Sequence, residues 1–198
     1  MAFEATAAED AVLALETVTL PVVLCTAPDA EVLRRRAREV PLSQPLEEVA
    51  QRMLATLEAA RGVGIAAPQV GLSWRVVWVV EGAEGETPEA VLAVNPMIVC
   101  RSSELRESYE GCLSVPDRGG LVRRYAWVDV RYSTLDRRRV EKRVSGFDAV
   151  VWQHEIDHLD GVLYTDRLIA AVSLDAPAHV DGAGSEALPA QGEEGPLP

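Results

Sequence analysis

The sequence predicts an α+β domain, on three observations. Apolar residues recur at helical spacing over 43–62, short β-type segments with turn signals fill 74–145, and the period changes from two to helical after Gly146. Helix, then strands, then helix is the order of a segregated α+β domain, not of alternating βαβ units. With 198 residues, 48% of them hydrophobic, the chain can bury one sizeable core. The expected organisation is an extension over 1–19, one folded domain over 20–172, and an acidic tail over 173–198. That tail is rich in Ala, Gly, Pro and Glu, a composition that favours disorder.

The first helix is expected from Ser43 to Gly62. Ser43 or Gln44 would cap it, Pro45 would sit in its first turn, and Glu47 and Glu48 would complement its positive end. Leu46, Val49, Met53, Leu54 and Leu57 form its apolar face, and Gly62 is placed to stop it. The run WRVVWVV at 74–80 reads as a buried strand, followed by a polar turn over Glu81–Glu89. VLAVNP and MIVCRSSELRES read as two further strands, and LVRRYAWVDVRYSTL as another, because Val128, Val130 and Tyr132 alternate with polar residues. Asp136 to Arg139 would turn that strand into VEKRVS, and Phe147 to Leu159 reads as a buried helix.

Charge and cysteine usage narrow the classes. The formal net charge is −12. Met1–Glu16 and Leu174–Pro198 hold four and five acidic residues and no Lys or Arg, so removing these nine leaves about −3 for the middle. An acidic chain argues against direct nucleic-acid binding, which depends on Lys and Arg at phosphates. Arg34, Arg35, Arg36 and Arg38 read as a solvated helix face. The N-terminus lacks a secretory pattern, and no run approaches the ~18 apolar residues that span a membrane. Three cysteines are too few and scattered for a disulfide framework, which points to a reducing, cytoplasmic setting. Cys25 and Cys100, in the apolar runs PVVLC and MIVC, read as buried free thiols.

The sharpest chemical signal is QHEIDHLDG, Gln153 to Gly161. On a helix, His154 and His158 fall on one face one turn apart, so both imidazoles can reach an ion at about 2.0–2.1 Å. Glu155 is placed beside that ion to take a proton from water. Two His, a Glu and an Asp on so apolar a helix would be costly to bury without a partner, and a metal supplies one. A third ligand is not given by a metzincin-type continuation, because Tyr164 stands where its last His would be. Nor is a downstream Glu available outside the tail. The best upstream candidate is Cys112 in EGCLS, with Gly111 letting backbone pass close by. From the residues alone, a plain buried cysteine is the alternative.

Three motifs in order, GVGIAAPQ (62–69), EGCLS (110–114) and QHEIDHLDG (153–161), resemble the signatures of the peptide deformylase family. The resemblance runs from about Leu20 to Leu168 and takes in PDAEVLRRRAREV and GVLYTDRL. It implies a small single domain of mostly antiparallel sheets around a central metal-binding helix. The implied activity is hydrolytic removal of the N-formyl group from the N-terminal formylmethionine of newly made polypeptides, met at the ribosome. It implies one divalent ion per chain, Fe²⁺ first, with Zn²⁺, Ni²⁺ or Co²⁺ able to replace it, held by Cys112, His154 and His158. Water activated there would attack the formyl carbon, with Glu155 as general base. Gln69 and the backbone N–H of Leu113 would stabilise the oxyanion, each such donor being worth ~3–4 kcal/mol of barrier. The peptide would add to Val63, Gly64 and Ile65 as an extra strand, with Gly111 on the other side. Phe147, Val150 and Val151 share a helix face with His154 and would line the methionine pocket together with Val63. Plain core packing is their alternative role. The expectation is a monomer.

A zinc endopeptidase is the enzyme rival, weakened by the missing downstream ligand. A structural metal module is the other rival, and it would normally need four protein ligands. The segment Pro116-Asp117-Arg118-Gly119-Gly120 departs from the family pattern, with its Arg shifted by one position or lost, and Arg123 replaces a common Pro. Asp157 is a candidate to orient a ligand or to pair with Arg124. Asp157→Ala is therefore expected to lose metal on dialysis, and unchanged metal content would remove that role.

Overall fold

The protein is described by a computed structural model over residues 18–82 and 87–173. Of the expected extension only Val18 and Thr19 are described, of the tail only Ser173, and part of the Glu81–Glu89 turn also lies outside the described residues. Among the described residues there are two α-helices and eight strands: α1 (Glu47–Ala59), β1 (Gly64–Ala66), β2 (Val76–Glu81), β3 (Glu89–Arg101), β4 (Leu105–Cys112), β5 (Val115–Tyr125), β6 (Trp127–Ser133), β7 (Arg139–Ser145), α2 (Gly146–Leu159) and β8 (Leu168–Ser173). They form a five-stranded sheet, β1-β2-β3-β6-β7, and a three-stranded sheet, β4-β5-β8. Every pairing within the sheets is antiparallel.

Helix α2 packs against β1, β2, β3, β6 and β7 of the larger sheet and against β5 of the smaller. Its apolar side explains this placement. Ala149, Val151, Trp152, Ile156 and Leu159 join Val77, Val79, Val128 and Val130 in one buried cluster. Trp152 is fully buried, with its ring 5.3 Å from that of Tyr132. Its indole N–H donates to Glu81 Oε1 at 2.7 Å, so the polar edge is satisfied while the ring packs. Gln153 fastens the same helix to β5. It accepts from Tyr125 N at 2.9 Å and donates to Tyr125 O at 3.0 Å. Gly161 ends the turn after α2 at φ +76, and a Cβ there would lie 2.7 Å from the Arg34 carbonyl oxygen, so this crossing needs glycine. No described helix is long and apolar enough to cross a membrane.

Several boundaries differ from those the sequence suggests. Helix α1 starts at Glu47, because 43 and 44 are spent in a turn (Gln44 N to Pro41 O, 2.8 Å) and the Glu47 carboxylate accepts the Leu46 N–H at 3.0 Å. It ends at Ala59, and Arg61 rather than a glycine takes the left-handed position after it (φ +52). VLAVNP and the start of MIVCRSSELRES are one strand. Asn95 (φ +53) and Pro96 form a bulge within it, and the Asn95 amide exchanges hydrogen bonds with the Val40 backbone at 2.9 and 2.8 Å. LVRRYAWVDVRYSTL is two strands in two sheets. The switch is at Ala126, whose N–H is held by Glu104 O and Ser102 Oγ, both at 3.0 Å. The arginine cluster forms a short 3₁₀ turn, Ala30–Arg34, and an extended segment rather than a helix face; Arg34 pairs with Asp166. Cys25 and Cys100 are exposed, not buried: apolar neighbours in sequence do not fix which way a side chain faces on an irregular segment or a bulged strand.

Trp152→Ala is expected to lower unfolding stability by about 3–5 kcal/mol, measured by denaturant titration.

Candidate metal centre

Three separate pieces of chain meet at one end of α2. The two-residue hairpin between β4 and β5 carries Cys112, helix α2 carries His154 and His158, and the 3₁₀ turn Ala67–Val70 after β1 carries Gln69. The segments on either side of the first 3₁₀ turn strap them together by backbone pairing. Val23 N donates to Gln69 O and Cys25 N to Ser114 O, each at 2.8 Å, and Ala37 N donates to Leu159 O at the end of α2.

The Cys112 sulfur and one ring nitrogen from each of His154 and His158 lie within 4.8 Å of one another. Cys112 Sγ is 3.3 Å from His158 Nε2. The two imidazole centroids are 4.9 Å apart in an edge arrangement. One sulfur and two imidazoles, converging and shielded from solvent, suit a divalent transition ion, and this is the only such cluster among the described residues. Electrostatics agree with the donor chemistry. Burial opposes a charge on His154, but Cys112 and Glu110 outweigh it and raise its pKa to about 10, so the pocket favours positive charge at that ring, whether proton or metal. Burial, together with the charges at His154 and Arg124, pushes His158 well down and keeps it neutral, the form that can ligate.

Glu155 is buried beside the cluster. Burial is the main cause that raises its carboxyl to about 7, with Glu110 adding to it and His154 opposing. A carboxyl near neutrality can both take and return a proton. Its Oε2 has no hydrogen-bond partner among the described residues. Room for it comes from Gly64, where a Cβ would lie 2.8 Å from Glu155 Cδ. Gln69 is almost fully buried. Its Oε1 accepts the Ala66 N–H at 2.8 Å, which turns Nε2 towards Cys112 Sγ and Ser114 Oγ, both at 3.4 Å.

A chain of charges supports the metal-facing residues. Glu110 Oε2 lies 2.8 Å from His154 Nδ1, leaving Nε2 of that ring for the cluster. Arg124 grips both oxygens of Glu110, at 2.7 and 2.9 Å, and reaches Asp157 at 2.5 Å. Arg167 grips both oxygens of Asp157, at 2.6 and 2.7 Å. Burial alone would raise the Glu110 pKa; the bonds from Arg124 and His154 win and lower it to about 2. The Asp157–Arg124 pair expected from the sequence is present. Glu110 and Arg167 were not singled out there. The signal for Glu110 was available, since it is an acid two residues before Cys112 in the same motif, whereas Arg167 is near only in space.

A cavity of about 340 Å³ opens onto the cluster. Gly62, Val63 and Gly64 form one wall, Tyr109 to Leu113 and Val115 to Arg118 the other, and Phe147, Val150, Val151, His154 and Glu155 the floor. Of the residues expected at a substrate groove, Val63, Gly64, Gly111, Phe147, Val150 and Val151 are all at the cavity, as is Leu113, the expected backbone donor to the oxyanion. Ile65 is not: its side chain packs in the core under α1, so only its backbone could serve. Arg118 lines the cavity, while Arg123 is exposed and pairs with Glu107 at 3.3 Å.

Over residues 21–173 the sequence matches the polypeptide deformylase family. The chain belongs to that family. The peptide deformylase of Desulforudis audaxviator (strain MP104C) is 42% identical over 137 residues, 69% of this chain and 86% of that one. A ligand-bound crystal structure of the class I type b peptide deformylase from Acinetobacter baumannii superposes with a TM-score of 0.72 at 42% identity, covering 76% of this chain and 99% of that one. The same Acinetobacter enzyme with Met-Ala-Ser bound gives 0.70 at 40%, covering 77% and 99%. The protein is thus a metalloenzyme, a hydrolase that deformylates the N-terminal formylmethionine of new polypeptides.

Glu110→Gln is expected to weaken divalent-ion affinity by about 10–100-fold, read by competition with a chromogenic chelator.

Proposed function

We propose that this enzyme performs its deformylation with Cys112, His154 and His158 holding one divalent ion at the end of α2, the helix around which both sheets pack. When bound, the ion supplies a Lewis acid that polarises the formyl oxygen and makes water acidic near neutral pH. Glu155 takes the proton of the attacking water as the water oxygen bonds to the formyl carbon. Gln69 Nε2 and the Leu113 N–H stabilise the charge that develops on the formyl oxygen. Glu155 then hands its proton to the methionine nitrogen as the C–N bond breaks, giving formate and a free amine.

Binding follows from the shape of the cavity. Strand β1 is the edge of its sheet, so an extended peptide can add along Val63–Ile65, with Gly111 opposite. The methionine side chain enters between Phe147, Val150, Val151 and Val63. Fe²⁺ is the proposed native ion, with Zn²⁺, Ni²⁺ and Co²⁺ as replacements, because one thiolate and two imidazoles accept each of them. A monomer is the proposed state. The proposed setting is the cytoplasm, on chains leaving the ribosome, where formylmethionine is first exposed and thiols stay reduced.

The observation that carries this reading is the cluster of Cys112, His154 and His158 beside a cavity that Cys112, His154, Glu155 and Gln69 line. Glu155→Ala is expected to keep its metal and lose about 10²–10⁴-fold in formate release from formyl-Met-Ala-Ser. Turnover at the wild-type rate would remove Glu155 from the mechanism.

A further inference from the structure

The outer rim of the cavity holds a feature that the deformylation chemistry leaves unused. Tyr109 is a large side chain that is 46% exposed, yet its ring is not loose. In the β4–β5 hairpin Gly111 pairs with Gly119 and Tyr109 with Leu121, so Tyr109 stands diagonally across from Gly119 on one face of the hairpin. The ring lies in the space that a side chain at 119 would fill: a Cβ there would come within 2.9 Å of Tyr109 Cε1 and closer to the hydroxyl. Glycine at 119 thus gives the ring a backbone shelf, inside the segment that departs from the family pattern. The ring is part of the cavity wall, together with Asp117 and Arg118.

Alternation decides what it can touch. Along β4, Glu110 faces inward and is buried against His154, so Tyr109 and Gly111 face outward to the mouth. In an extended substrate the methionine side chain points inward to the helix floor, and the side chain of the next residue points outward. The neighbouring charges, Asp117 and Arg118, are opposite in sign, which leaves the aromatic face as the selective element.

We propose that Tyr109 is a specificity-determining residue that selects formylmethionyl peptides with an aromatic side chain at the second position. The inference rests on the peptide orientation proposed above. It is tested by comparing kcat/KM for formyl-Met-Phe-Ser and formyl-Met-Gly-Ser, on the metal-loaded full chain and its Tyr109→Phe and Tyr109→Ala variants. The expected wild-type preference for Phe is about 2–13-fold, from the 0.5–1.5 kcal/mol of an aromatic pair. Tyr109→Phe is expected to keep that ratio and Tyr109→Ala to bring it close to one. A wild-type ratio near one, or an unchanged ratio in Tyr109→Ala, would overturn the proposal. Absence of formate release from either peptide by the wild type would instead overturn the proposed mechanism.

Discussion

Arg124 is buried with a full positive charge, and it can stay there only because Glu110 and Asp157 lie against it. Each of these groups would be costly to bury alone, and removing one partner of such a set typically costs about 3–5 kcal/mol. Together they tie three elements that are far apart in sequence: β4 through Glu110, β5 through Arg124, and α2 through Asp157. Glu110 Oε2, shared with Arg124, also reaches His154 Nδ1, so this ion set fixes the ring that faces Cys112. The geometry of the metal centre depends on it, since a ligand ring free to rotate would not hold one nitrogen towards the cluster.

The rest of the site follows from how tightly these pieces are drawn together. Once β4 and α2 are joined, the glycines of the first motif let β1 approach the helix closely enough for Glu155 to fill the space above Gly64. That crowding excludes water from Glu155 and accounts for its raised pKa. The same closeness orients Gln69 through the Ala66 N–H. A carboxyl held near neutrality and an amide aimed by its own backbone contact are therefore consequences of packing, not of the identity of Glu or Gln alone. The charged residues Asp117 and Arg118 also line the cavity.

Much of the fold could be read from the pattern of residues. The strands with a regular period of two, such as Trp127–Ser133 and Arg139–Ser145, and the apolar helix with its two histidines were legible because the period itself reports which face is buried. The break at Ala126 was not. Val122, Arg124, Ala126, Val128 and Val130 are all buried at a spacing of two, so the alternation runs unbroken while the chain moves from one sheet to the other. The bulge at Asn95-Pro96 was visible as an interruption, but only the pairing with β6 on both sides shows that the strand continues past it, and bonds from Asn95 to Val40, 55 residues away, hold it.

The sequence by itself determined the chemistry. Two histidines one turn apart with a glutamate between them point to a metal and an acid–base group from residue type and local spacing, whereas the roles proposed for Cys112 and Gln69 come from the resemblance of their motifs to the family. Only the tertiary structure decided what supports them: that Glu110 turns the His154 ring, that Arg167 closes the charge chain on Asp157, that Ile65 packs away from the cavity, and that Tyr109 rests on Gly119. These are contacts between segments distant in sequence or across a hairpin, and their energies depend on burial and orientation, which no local pattern encodes.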